Sequence, residues 1–273
     1  MNKRAFLYML GMLVCITQSC DTPSLPIVET NDVINITGTS AVSGGLILSD
    51  GGSTIMNRGV CWSTGSNPTI KDSKTNDGAG AGAFESQISL LNGSTRYYLR
   101  AYATNSDGTG YGMTMSFTTL PVIGQAHEGG IVFYLDASKV HGLACAPNDQ
   151  ITGIKWHNGV NVPIGTTSSS IGSGGNNTRD IVNKQGSGNY AAHICFNLTL
   201  NNKSDWYLPS INELDLMYKN LKLNGIGGFA AGHYWSSTES ITNTNAWYIY
   251  FGDGGKVTAA KDYEYYVRAV RSF

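Results

Sequence analysis

An antiparallel β-sandwich followed by an α+β domain is the architecture this sequence predicts, on three observations. The first is length, because 273 residues exceed a single domain at ~100–200 residues each. The second is composition: 34 glycines and 15 tyrosines with only 14% charged residues describe sheets and loops, whereas long helices need more Ala, Leu, Glu and Lys. The third is punctuation. Short alternating runs separated by turn residues fill the chain as far as Leu120-Pro121, a natural boundary, and beyond it strands share the chain with a well-signalled helix.

The first nineteen residues read as a leader. Met1-Asn2-Lys3-Arg4 is basic, Ala5 to Ile16 is apolar, and Gln18-Ser19-Cys20 follows. The run is too short for a comfortable membrane span, which needs ~20 apolar residues. It resembles a bacterial lipoprotein signal, in which a small residue precedes a cysteine that is acylated. Ser19 fits the small residue, and Cys20 would carry the lipid anchor; Thr17 stands where that family prefers Leu, Val or Ile. A conventional secretory peptide cut nearby is the alternative. Both imply export, and the lipoprotein reading implies an anchor in the outer membrane with the protein at the cell surface. Residues 20–30, with Pro23 and Pro26 and no periodicity, read as a tether.

Residues 31–120 predict the sandwich. Ile34 and Ile36 alternate, Leu46 and Leu48 alternate before a turn at Asp50-Gly51-Gly52, and Gly59 to Trp62 precedes Gly65-Ser66-Asn67-Pro68. In the clearest strand Tyr97, Leu99, Ala101 and Ala103 face inward while Tyr98, Arg100 and Tyr102 face out. Leu91 with Tyr97, and the stretches GVCWSTGSNPTI (Gly59 to Ile70) and YYLRAYATNSDGTGYG (Tyr97 to Gly112), resemble the fibronectin type III modules of Bacteroidetes surface proteins. Such a module implies a spacer, with Trp62 in its core.

Residues 121–273 form the second domain. Gly129 to Leu135 is an apolar strand, Gly142 to Ala146 a second, and Gly153 to Gly188 is loop-like with Trp156 as its anchor. Tyr190 to Cys195 has small residues suited to a helix. Ser210 and Glu213 form an S-x-x-E capping box, after which Ile211, Leu214, Met217, Tyr218 and Leu221 line one face and Gly225 stops the helix. From His233 onward the chain gathers Trp235, Trp247, Phe251 and six tyrosines around a glycine-rich turn. Such rings give stiff contact area with polar tips, although the same alternation describes any two-faced strand. Trp247, Ile249 and Phe251 fall on one face, and Tyr248 and Tyr250 on the other, beside Asp253 and Lys256.

GGIVFYLD, DWYLPSINEL, YWSSTES, AWYIYF and VRAVRSF, in this order, resemble the C-terminal domain of Legionella collagen-like adhesins and many bacterial lipoproteins. The resemblance implies a C-type-lectin-like fold, related to formylglycine-generating enzymes and to retroelement-diversified variable proteins, in which first and last strands pair. That would set Val132–Leu135 beside Tyr266–Val270. It also implies a glycan or protein ligand, met at exposed positions between scaffold residues: Glu239, Thr242, Asn243, Asn245, Tyr248, Tyr250, Asp253, Lys256, Asp262, Tyr263 and Tyr265.

Other chemistry finds little support. With net charge −1 and scattered Lys and Arg, no nucleic-acid partner is expected. The five histidines are dispersed and none shows HExxH spacing; no EPN or WND motif marks a calcium lectin, and no Cys/His spacing marks zinc. The expectation is therefore no catalysis, no metal and no cofactor. Cys145 and Cys195 could pair if their strands are neighbours, but their apolar surroundings favour buried free thiols. Two other classes remain: a structural or tip subunit of a surface or fimbrial assembly, and a degenerate enzyme of the formylglycine-generating type.

Overall fold

The computed structural model describes residues 23–273; the leader and the Cys20 anchor lie outside the described residues. In the first domain, alternation builds two facing sheets. One contains β1 (Ile27–Thr30), β2 (Ala41–Ser49) and β5 (Gly82–Ile88), in the order β1-β2-β5. The other contains β3 (Asn57–Ser63), β4 (Ser73–Lys74), β6 (Arg96–Asn105) and β7 (Gly108–Tyr111), in the order β4-β3-β6-β7, with β8 (Met115–Thr118) also on β6. This is a β-sandwich, and Val28, Ile47, Val60, Phe84, Leu99 and Ala101 fill it.

Tyr97, Leu99, Ala101 and Ala103 are buried as the alternation requires, and the Asn92 amide donates to Tyr97 Oη at 3.1 Å, fixing the loop before β6. Tyr102 departs from the outward expectation. It is buried because β4 and its flank cover it, and its hydroxyl donates to the Thr75 carbonyl at 2.6 Å. Trp62 is half-buried against the core. The tether reading fails over its last residues, since Ile27–Thr30 is the first strand. Val28 is buried, Thr30 Oγ1 accepts from the Ala101 amide, and Asn105 donates to the Ser24 carbonyl. Those partners are far away in sequence, so no local pattern announces the strand.

The second domain contains β9 (Ala126–His127), β10 (Gly130–Leu135), β11 (Gly142–Cys145), β12 (Ile151–Ile154), α1 (Gly174–Gln185), α2 (Ala191–Phe196), α3 (Ile211–Asn220), β13 (His233–Glu239), β14 (Asn245–Tyr250), β15 (Gly255–Ala260), β16 (Tyr265–Val267) and β17 (Val270–Ser272). A four-stranded sheet runs β17-β11-β10-β9, and a five-stranded sheet runs β12-β16-β13-β14-β15. The second has a core on each face. Phe133, Leu214, Met217, Tyr234, Ile249 and Phe251 pack between it, α3 and the smaller sheet. Trp156, Ile181, Ala191, Trp206, Trp235 and Ala246 pack beneath α1 and α2 on the other side.

The expected pairing of Val132–Leu135 with Tyr266–Val270 is not what forms. β17 pairs with β11, which separates it from β10, and Tyr266 bridges Tyr234 in parallel. All four residues of β11 are buried, so the strand fits between two neighbours. The loop expected over Gly153 to Gly188 contains α1, a helix whose Gly- and Asn-rich start gives little propensity. Tertiary contacts hold it: Ile181 is fully buried, Asn177 donates to Ser237 Oγ at 3.1 Å, and Thr178 Oγ1 accepts from the Leu208 amide at 3.0 Å. Trp156 is buried and its indole donates to the Ser236 carbonyl at 2.8 Å.

The capping box of α3 is present. Ser210 Oγ accepts from the Glu213 amide, and Glu213 Oε2 accepts from the Ser210 amide at 2.8 Å. Glu213 Oε1 also accepts from the Gly172 amide at 2.7 Å. Ser210→Ala is expected to cost about 1 kcal/mol, measurable by urea denaturation. Cys61, Cys145 and Cys195 are buried free thiols, and burial pushes the Cys145 thiol up to about 12.

In the middle of β17, Arg271 donates to both oxygens of Asp205, at 2.8 and 2.9 Å, and to Glu128. Its hydrogen bonds hold the Asp205 carboxyl below the usual range; Glu128 is lowered chiefly by Lys203 and also by Arg271. Depressed carboxyls contribute stability above their ordinary pKa of about 4 and lose it as pH falls through the folded value. Unfolding free energy should therefore drop with pH below about 4, and Asp205→Asn should flatten that slope in denaturation curves measured across the acid range.

Candidate functional site

The face of the five-stranded sheet that lies over Trp235 passes gradually from core to surface. Trp235 and Ala246 are fully buried under α1 and α2, while Tyr248, Tyr265, His233 and Tyr250 are half-buried and Tyr263 is 57% exposed. Cross-strand register explains the grouping, because His233 lies opposite Tyr250, and Trp235 opposite Tyr248. Residues at these positions share a face.

The rings form a continuous strip. His233 stacks on Tyr250 at 4.7 Å between centroids and on Tyr265 at 4.9 Å, and Tyr265 stacks on Tyr263 at 5.8 Å. Tyr248 meets His233 edge-on at 5.2 Å and Tyr265 at 4.9 Å, closing the strip from below. Each such pair contributes roughly 0.5–1.5 kcal/mol beyond its buried area, so the strip is rigid before any ligand arrives. Burial pushes the Tyr265 phenol up, with its neighbours Tyr248 and Tyr263 adding to the effect, so it stays protonated as a hydrogen-bond donor. Tyr250 is further fixed by the turn, where a Cβ on Gly252 would lie 2.4 Å from its ring.

Residues 146–271 match the family model described as the Lcl C-terminal domain. This Lcl match begins just after β11 and contains every ring of the strip. Solved structures similar to this chain include titin domains, at 23% identity over 36% of this chain and 32% of that one, with a TM-score of 0.28. They also include the FN3 domain of human collagen XX, at 19% identity over 36% and 95% with a TM-score of 0.26. The fourth FNIII domain of a human protein aligns at 24% identity over 42% of this chain and 94% of that one, with a TM-score of 0.30. The chain spans about a third of the titin chain. No curated protein matches.

Within the Lcl-matching region the structure separates the expected contact residues into groups. Tyr248, Tyr250, Tyr263 and Tyr265 come together, and His233, which no local motif singles out, lies at their centre. Asp262 lies beside them, with an exposed carboxylate accepting from His157 Nε2 at 2.9 Å. Because a carboxylate only accepts, Nε2 carries the proton, and Asp262 is held in place by a buried ring.

Others stand apart. Glu239 is a correction: it is buried, and its carboxylate accepts from the amides of Ile164 and Gly165 and from Lys261 Nζ. Lys256 points to the opposite face of the sheet, opposite Ile249, and its ammonium meets Asp215 Oδ2 of α3 at 2.8 Å. Burial raises the Asp215 carboxyl, but Lys219 and Lys256 outweigh it and hold it low. Asp253 shapes the β14–β15 turn by accepting from the Gly255 amide at 2.8 Å. Thr242, Asn243 and Asn245 line the β13–β14 turn, where Asn243 gives its carbonyl to Lys261 at 2.7 Å. Among the described residues no group of three or more His, Cys, Asp or Glu forms a metal-ligating cluster.

Proposed function

We propose that this is an exported, lipid-anchored surface protein, adhesin-like, whose C-type-lectin-like C-terminal domain binds a glycan or protein without catalysis. The sandwich serves as its spacer. The observation that carries the reading is the strip Tyr250–His233–Tyr265–Tyr263, with centroid spacings of 4.7, 4.9 and 5.8 Å. A sugar lays its apolar C–H face on such rings while its hydroxyls reach phenol tips and a carboxylate, here that of Asp262. The family match over residues 146–271 supports an adhesin-type role. If a retroelement diversifies this surface, Glu239 and Lys256 belong to the scaffold, since both hold internal ion pairs.

The test uses residues 23–273 on glycan and host-protein arrays, beside Tyr250→Ala/Tyr263→Ala. These two rings can be removed without opening the core, whereas Tyr248 packs on it. Hits that vanish in the double variant support the site and identify the ligand class. Hits that persist unchanged, or an assembly far above monomer size with no hits, would overturn it.

A further inference from the structure

Away from the strip, a cavity of about 390 Å³ opens between α1, the end of α2 and the Ser204–Tyr207 segment. That volume lies within the ~300–1,000 Å³ usual for small-molecule sites. Its walls combine Phe196, Trp206 and Tyr207 with one guanidinium, that of Arg179. We infer that this cleft is a second ligand site, taking a six-membered ring that bears a carboxylate, such as a uronic or sialic acid residue of a glycan.

Charge carries the first part of the inference. Arg179 is exposed and forms no ion pair among the described residues; its side chain donates to Asn176 Oδ1 at 3.1 Å. The other charged lining residue, Asp205, has both oxygens taken by Arg271 at 2.8 and 2.9 Å. The cleft therefore offers an uncompensated cation whose planar fork matches a carboxylate.

Shape carries the second part. Phe196 ends α2 with 44% of its surface exposed, an apolar ring left facing the cleft rather than a core. Gly175 keeps the space over Tyr207 open, and packing does not require a glycine there. A Cβ at Gly175 would come no closer than 3.5 Å to the Tyr207 ring, whereas one at Gly174 would meet Glu213 Oε2 at 2.3 Å. A small side chain at 175 would only touch the Tyr207 ring, whereas a bulky one would fill the space over it. A ring between Phe196 and Tyr207 with its carboxylate toward Arg179 uses all of these features.

The test is an NMR titration of residues 23–273 with glucuronate, N-acetylneuraminate, benzoate and, as neutral control, glucose, following the Trp206 indole proton and the Phe196 ring. The acids should shift these signals in the millimolar range and glucose should not. Glucuronate shifting them where benzoate does not identifies a sugar acid; the reverse narrows the class to flat aromatic acids and overturns the glycan assignment. Arg179→Gln, a surface change, should weaken binding at least about tenfold, and Gly175→Leu should block it. Tyr250→Ala/Tyr263→Ala should leave it unchanged, so the two sites fail or stand separately. No shift with any acid, or equal binding by Arg179→Gln, would overturn the inference.

Discussion

Lys261→Met is expected to destabilise the C-terminal domain by about 3–5 kcal/mol, the usual cost of breaking a buried ion pair from one side. The Lys261 and Glu239 side chains are 1% and 2% exposed. The ammonium donates to Glu239 Oε1, to Asn161 Oδ1 at 3.0 Å and to the Asn243 carbonyl at 2.7 Å, which accounts for all three of its protons. It also lies 4.5 Å from the centre of the Trp156 ring. Glu239 in turn accepts from two amides of the loop at Ile164 and Gly165. One pair thus ties that loop, the β13–β14 turn and the end of β15 together.

Removing the lysine leaves a buried carboxylate with two amides but no counter-charge. Burial lowers the Lys261 pKa, and the hydrogen bond and charge of Glu239 oppose that shift. Urea denaturation followed by tryptophan fluorescence measures the loss. Lys261→Met/Glu239→Leu should recover part of it, because replacing both members of a buried pair is far milder than removing one. A loss below 1 kcal/mol for the single change would contradict the buried-pair account.

His233→Ala should weaken ligand binding by about 2 kcal/mol, roughly 30-fold, the scale of a central hot-spot residue. The ring stacks on Tyr250 and on Tyr265, so its removal splits the strip in two. The fold should also lose the ring pairs that His233 makes with Tyr248, Tyr250 and Tyr265, each worth roughly 0.5–1.5 kcal/mol, while Trp235 still fills the core. A dissociation constant from calorimetry, set beside an unfolding curve of the same variant, separates these effects. Equal binding by the variant would remove His233 from the site.

Much of the scaffold was legible locally. Alternation placed Tyr97, Leu99, Ala101 and Ala103 inside, and the Ser210–Glu213 spacing marked the start of α3, because strands and capped helices write their period into neighbouring residues. What was not legible depended on distant partners. Glu239 reads as an exposed acid in a polar turn, but Lys261 just after β15 and the amides of Ile164 and Gly165 enclose it. Lys256 reads as a companion of Tyr250 but pairs with Asp215 on a helix far upstream. His233 had no local motif, and register with β14 alone puts it among the tyrosines. α1 and β1 likewise take their support from residues that sequence neighbours do not reveal.

Whether ligand is met at the aromatic strip can be read by chemical-shift mapping with a ligand identified on the arrays. With aromatic side chains labelled in residues 23–273, perturbations should concentrate on Tyr250, His233, Tyr265 and Tyr263 and extend to Asp262. Perturbations confined to the sandwich, or to the α3 side of the sheet around Lys256 and Tyr218, would contradict it.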